Sequence, residues 1–145
     1  MPERETLARA RKDAVQGKSP STQAGEFVRE EIHHVREGKH GARSPQQAIA
    51  IGLSKARRAG VKLRLPTGPA PVRKKATQDS KSGKTRRHKI SGKRSRAVLG
   101  ALRRESRQAA SHKALSRQAT KSAAKRGKQN REPAAAKAAL RRRAA

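Results

Sequence analysis

Ser44-Pro45-Gln46-Gln47-Ala48-Ile49-Ala50-Ile51-Gly52-Leu53-Ser54-Lys55-Ala56-Arg57-Arg58-Ala59-Gly60 carries the fullest set of helix signals in the chain. Ser44 is an N-cap whose hydroxyl accepts the Gln47 amide. Pro45 takes the first helical position, where its missing N–H is no loss, and Gln47 reaches back to complete a capping box. Gly60 offers a left-handed C-terminal cap. At about 100° per residue, Ala48, Ile49, Gly52, Leu53, Ala56 and Ala59 share one arc, and their small members predict close approach to a neighbouring helix. Ile51 falls outside that arc and is free to serve a second contact.

The neighbour lies just upstream. Ser19-Pro20 or Thr22 can start a helix that runs to Glu37 and stops at Gly38. Its core-facing stripe is Ala24, Phe27, Val28, Ile32 and Val35, with Glu31 inside the arc and expected to meet a basic side chain of the second helix. Residues 38–43 are a short connection, so residues 21–60 read as an αα-hairpin with a core of Phe27, Val28, Ile32, Val35, Ile49, Leu53 and Ala56. Val61-Lys62-Leu63-Arg64-Leu65 alternates as an extended segment would and completes a module over residues 19–65. Before it, residues 1–18 read as a weak helix or a disordered arm, with Leu7, Ala10 and Ala14 as a thin stripe closed by Gly17.

The segment Ala24-Gly25-Glu26-Phe27 through Glu37-Gly38-Lys39, with Gln47-Ala48-Ile49-Ala50-Ile51-Gly52-Leu53-Ser54 and Ala56-Arg57-Arg58-Ala59-Gly60, resembles a family of small basic bacterial proteins classed as a domain of unknown function. The likeness covers about 40 of the 145 residues. It implies a bacterial protein whose helical segment is followed by a Lys/Arg-rich tail, and it brings no activity with it. The tail is similar, in composition alone, to linker-histone tails and to the histone-like tails of some nucleoid proteins.

Charge separates the two parts. The formal net charge is +29, from 39 Lys and Arg against 10 Asp and Glu. Met1 to Gly60 carries +5 of this and Val61 to Ala145 carries +24. Only 19 residues are Val, Leu, Ile or Phe, and 12 of them lie in residues 1–65, so any core must be built there. The chain has no Cys, Trp or Tyr, and Phe27 is its single aromatic residue. That composition excludes disulfides, thiolate metal sites, Cys nucleophiles and stacking platforms for single-stranded bases. No apolar run suits a membrane span or a secretory signal, which gives a cytoplasmic expectation.

The cluster Pro66, Gly68, Pro69 and Pro71 interrupts regular structure, and residues 66–94 read as a flexible basic linker. Residues 95–145 read as a basic, largely disordered tail with one long Ala/Lys/Arg-rich helix from Ser95 to Arg126. On such a helix Arg96, Arg103, Arg107, Lys121 and Lys125 would form one ridge along a rod of about 48 Å at 1.5 Å per residue. A ridge of that kind fits a phosphate backbone and repels itself when free. A last helix, Ala134 to Arg143, would follow Pro133. The fold class is thus mainly α, a small hairpin with a polycationic tail. Its candidate nucleic-acid contacts are Arg73, Lys74, Lys75, Lys84, Arg86, Arg87, Lys89, Lys93, Arg94, Arg96, Arg103, Arg107, Arg117, Lys121, Lys125, Arg141, Arg142 and Arg143.

Sharper motifs fall short. Ser82-Gly83-Lys84-Thr85 resembles the end of a P-loop, but Gln78 stands where the first glycine belongs and no hydrophobic strand precedes it. Adjacent His33 and His34 point about 100° apart on a helix, so His33, His34 and His40 with Glu30, Glu31 and Glu37 are not expected to hold a metal. Arg126-Gly127-Lys128 lacks the second Arg and the Pro of an A·T-hook core. The acids are scattered without a catalytic pairing, which argues against an enzyme, a small-molecule substrate or a cofactor. The expectation is a non-enzymatic, largely sequence-independent DNA-binding protein of the bacterial nucleoid. RNA or ribosome association is the first alternative, and a protein-interaction hairpin with an accessory tail is the second. The hairpin leaves room for a homodimer or a protein partner.

Overall fold

The computed structural model describes residues 2–83 and 91–125. Six α-helices follow in order: α1 (Arg4–Val15), α2 (Pro20–Glu37), α3 (Pro45–Arg58), α4 (Ala70–Ser82), α5 (Gly92–Arg103) and α6 (His112–Lys125), with a 3-10 turn at Arg107–Ala110 between the last two. No strand occurs among the described residues. The chain divides into two units, residues 1–110 and residues 111–145.

In the first unit α2 lies between α1 and α3, α4 packs on α3, and the 3-10 turn sits against both α2 and α3. Three glycines set the helix ends. Gly17, Gly38 and Gly60 are the only residues of positive φ among those described, at 68°, 78° and 96°. Each follows a helix and closes the same motif. The amides of Lys18, Lys39 and Val61 donate to the carbonyls of Asp13, His34 and Ala56, five residues back. The glycine amides reach Ala14, Val35 and Arg57. Two orphan carbonyls per helix are satisfied in this way, at a φ that only glycine adopts without strain. At the other ends, Ser19 caps α2 and Ser44 caps α3. Gln47 reaches back one residue further than the expected box, with its Oε1 accepting the Arg43 amide at 2.8 Å.

Two small cores result. Phe27, 1 % exposed, is enclosed by Ala10, Ala24 and Ala56, with Leu7, Leu53, Val61 and Leu63 at the margin. Val35 packs with Ala42, Ala48, Ala109 and Ala110, and Ile32 lies beside them. Gly52 brings α2 and α3 together, since a Cβ there would stand 2.7 Å from Val28 Cα and 3.0 Å from the Phe27 carbonyl oxygen.

Several expectations are corrected. Of the two readings of residues 1–18 the helix is the one found, since α1 packs on α2, but its buried face is Thr6, Ala10 and Asp13 while Ala14 is exposed. Val28 and Ile49 are only half-buried and join neither core. The alternation of residues 61–65 does hold, with Val61 and Leu63 turned onto the first core and Lys62 and Arg64 exposed, in a segment that belongs to no helix or strand. Residues 66–94 are not a linker throughout, because α4 buries Ala76 and Asp79, and Ser54 Oγ donates to Asp79 Oδ2 at 2.6 Å. Pro71 falls in the first turn of that helix, where it is tolerated. Ile51 therefore lines a groove between α3 and α4 and is not a free outer surface.

The long helix from Ser95 to Arg126 is also corrected. It breaks after Arg103 because the 38–43 loop binds the chain there. The Gly41 amide donates to Leu102 O at 2.8 Å and the Ala42 amide to Ser106 O at 3.1 Å. Arg36 Nε donates to Ala110 O at 2.8 Å, and Ala109 and Ala110 are buried. Helix α6 then starts afresh, with the Ala114 amide donating to Ser111 Oγ.

Candidate functional site: surface cations and a buried Glu–His–Lys cluster

The acidic side chains already have basic partners within the chain. Every Asp and Glu among the described residues stands within 4.0 Å of a basic side chain. Glu3 meets His34 and Lys39, Glu5 and Glu26 meet Arg9, Asp13 meets Lys18, Glu37 meets His33 and Lys39, Asp79 meets Lys75, and Glu105 meets Arg43. Glu30 and Glu31 share Lys55. On α5 and α6 there is no acid in the sequence at all.

The cations named from the sequence are spread over several elements. Arg73, Lys74 and Lys75 lie exposed on α4, with Lys75 3.3 Å from Asp79. Lys93, Arg94, Arg96 and Arg103 are exposed on α5, and Arg117, Lys121 and Lys125 on α6. Arg107 turns back toward the end of α2, its guanidinium 3.1 Å from where a Gly38 Cβ would stand, a position that favours a cation at a helix C-terminus. Lys84, Arg86, Arg87, Lys89, Arg141, Arg142, Arg143 and the expected helix from Ala134 lie outside the described residues. No continuous helix carries Arg96, Arg103, Arg107, Lys121 and Lys125, which sit on α5, on the 3-10 turn and on α6. In its place are two shorter stripes, Arg96 with Arg103 on α5 and Arg117, Lys121 and Lys125 on α6.

The second feature is buried. Glu31 meets the basic side chain expected from the neighbouring helix, with Lys55 Nζ 2.7 Å from its Oε2. That pairing is ionic without hydrogen-bond alignment, and Oε2 has no hydrogen-bond partner. Lys55 also lies 3.0 Å from Glu30 Oε1. Burial opposes ionisation of Glu30, but hydrogen bonds from Thr6, Lys55 and the Glu3 amide outweigh it and hold this carboxyl below its ordinary value. Burial likewise opposes the charge on Lys55, yet Glu31 and Glu30 raise its affinity for the proton. At the cluster's edge, hydrogen bonds from His34 and Lys39 pull Glu3 down to about 2.

Histidines complete the cluster. His40 Nε2 is 3.1 Å from Glu31 Oε1, and His34 Nε2 is 2.8 Å from Glu3 Oε1. One ligand atom from each of Glu31, His34 and His40 falls within 4.8 Å of the others. Adjacency to His34 does exclude His33, which turns outward to Glu37 at 2.8 Å. It does not exclude His34 itself, because Glu31 stands three residues before it on one helical face and the return of the chain at Gly38 brings His40 over that face. A second buried polar atom without a hydrogen-bond partner is Nε of Arg57, a residue that lines the α3–α4 groove. No described helix is long and apolar enough to cross a membrane. No protein-family model matches this chain, and no curated protein or solved structure shows significant similarity to it.

Proposed function

We propose that the chain is a non-enzymatic, largely sequence-independent DNA-binding protein of the bacterial nucleoid. The observation that carries this reading is that every described acid already stands beside a basic side chain of the chain, while α5 and α6 present exposed cations with no acid on either helix. Such a surface attracts a polyanion through counterion release and reads no bases. Duplex DNA is favoured over single-stranded RNA because the chain has no Trp or Tyr and its one Phe, Phe27, is 1 % exposed, leaving only imidazole and guanidinium planes for an unpaired base to stack on. Residues 126–145 add a further net +6.

Simultaneous replacement of Arg94, Arg96, Arg103, Arg117, Lys121 and Lys125 by Gln tests the reading. Affinity should fall on unrelated duplexes alike, and the slope of log K against log salt should shrink by about 0.9 for every phosphate that is no longer neutralised. Weakening confined to one sequence, or unchanged binding, would contradict it. Single-stranded RNA bound more tightly than duplex DNA at equal salt would favour the RNA alternative.

A further inference from the structure

We propose that Glu31, His34 and His40 form a binding site for a divalent transition-metal cation of the Zn2+ type. Two imidazoles and a carboxylate are a donor set that suits Zn2+, with a fourth position left for water. Glu31 and His34 share a face of α2, and the left-handed Gly38 folds the chain so that His40 meets them. The 3.1 Å between His40 Nε2 and Glu31 Oε1 is near the edge of about 3.3 Å that metal–ligand distances of 2.0–2.1 Å impose on a tetrahedron.

Orientation and charge point the same way. His40 Nδ1 lies 3.0 Å from the Gly41 carbonyl, which can only accept, so that nitrogen carries the proton. That leaves Nε2 as the nitrogen that faces the Glu31 carboxylate, the orientation of an imidazole that ligates through Nε2 while its other nitrogen is held by a carbonyl. Glu3 orients His34 in the same manner, at 2.8 Å. Glu30 and Glu31, with side chains 1 % exposed, share one lysine, so two buried carboxyls converge on a single ammonium. Lys55 keeps Glu30 as its partner when a metal takes Glu31. The bound ion would tie α2 to the loop whose Gly41 and Ala42 hold residues 102–106 in place.

Titration of the full-length chain with Co2+ provides the test. One Co2+ per chain should give the intense visible d–d bands of a four-coordinate site, bleached by Zn2+. Glu31→Gln and His40→Ala should each weaken binding by more than about tenfold, while His33→Ala leaves it unchanged. Because the first two variants remove buried groups, ring C–H signals of the wild-type histidines are followed during Zn2+ addition as well. Shifts of His34 and His40 support the site. Absent d–d bands, equal binding by His40→Ala, or shifts confined to His33 or His112 would overturn it and leave His40 as a protonated partner of Glu31, without bearing on DNA binding.

Discussion

At Gly52 the backbones of α2 and α3 meet without a side chain between them, so the hairpin seam depends on one missing methyl group. Gly52→Ala must push α2 away and should cost about 1–3 kcal/mol in urea unfolding. Gly25, in α2, has no atom within 4 Å of its Cβ position, and Gly25→Ala should be neutral or stabilising by up to about 1 kcal/mol. Phe27→Ala empties the first core and should cost about 3–5 kcal/mol. Equal midpoints for all three variants would refute this packing. Acid sensitivity belongs to the same scale. Glu3 is held at about 2, against an ordinary value of 4.5, and Glu30 is also lowered. A lowered carboxyl contributes its stability above the unfolded value and loses it as pH falls through the folded one. Stability should therefore be level above about pH 5 and decline from about 4.5 toward 2. Glu3→Gln should flatten part of that decline.

The helices divide into those marked locally and those fixed at a distance. Gly17, Gly38 and Gly60 are legible as terminators because a left-handed cap is a property of a few neighbouring residues, and Ser44 is legible as an N-cap for the same reason. The stripe containing Phe27 and Val35 is legible from its period. Helix α4 is not, because Pro66, Gly68, Pro69 and Pro71 resemble a linker, and its place depends on the bond from Ser54 to Asp79 across 25 residues. The break after Arg103 is hidden likewise, since the Gly41 and Ala42 amides that bind there come from some 60 residues upstream. In the cluster, a basic partner for Glu31 follows from the helical period, whereas His40 reaches it from a loop. Chain truncation tests this level. A fragment ending at Leu65 lacks Ala76, Ala109 and Ala110 of the buried set. At roughly 0.8 kcal/mol per buried methyl it should be about 2–3 kcal/mol less stable to urea than one ending at Ala110. Identical curves would show that α4 and the 3-10 turn contribute nothing.

For the molecule as a whole, folding sorts charge. The unit spanning residues 1–110 holds nine of the ten acids and a net +19, while residues 111–145 carry +10, so both units remain strongly cationic. Self-repulsion of this size opposes the compact state, and a polyanion would relieve it. Affinity should then come from displaced counterions and not from shape. The decisive quantity is the salt dependence of full-length protein binding to a duplex of arbitrary sequence. If a third of the 27 Lys and Arg after Gly60 contact phosphate, log K should fall against log salt with a slope of about −8, the same for unrelated duplexes. A slope near zero, or an affinity that follows sequence and ignores salt, would contradict binding by surface cations.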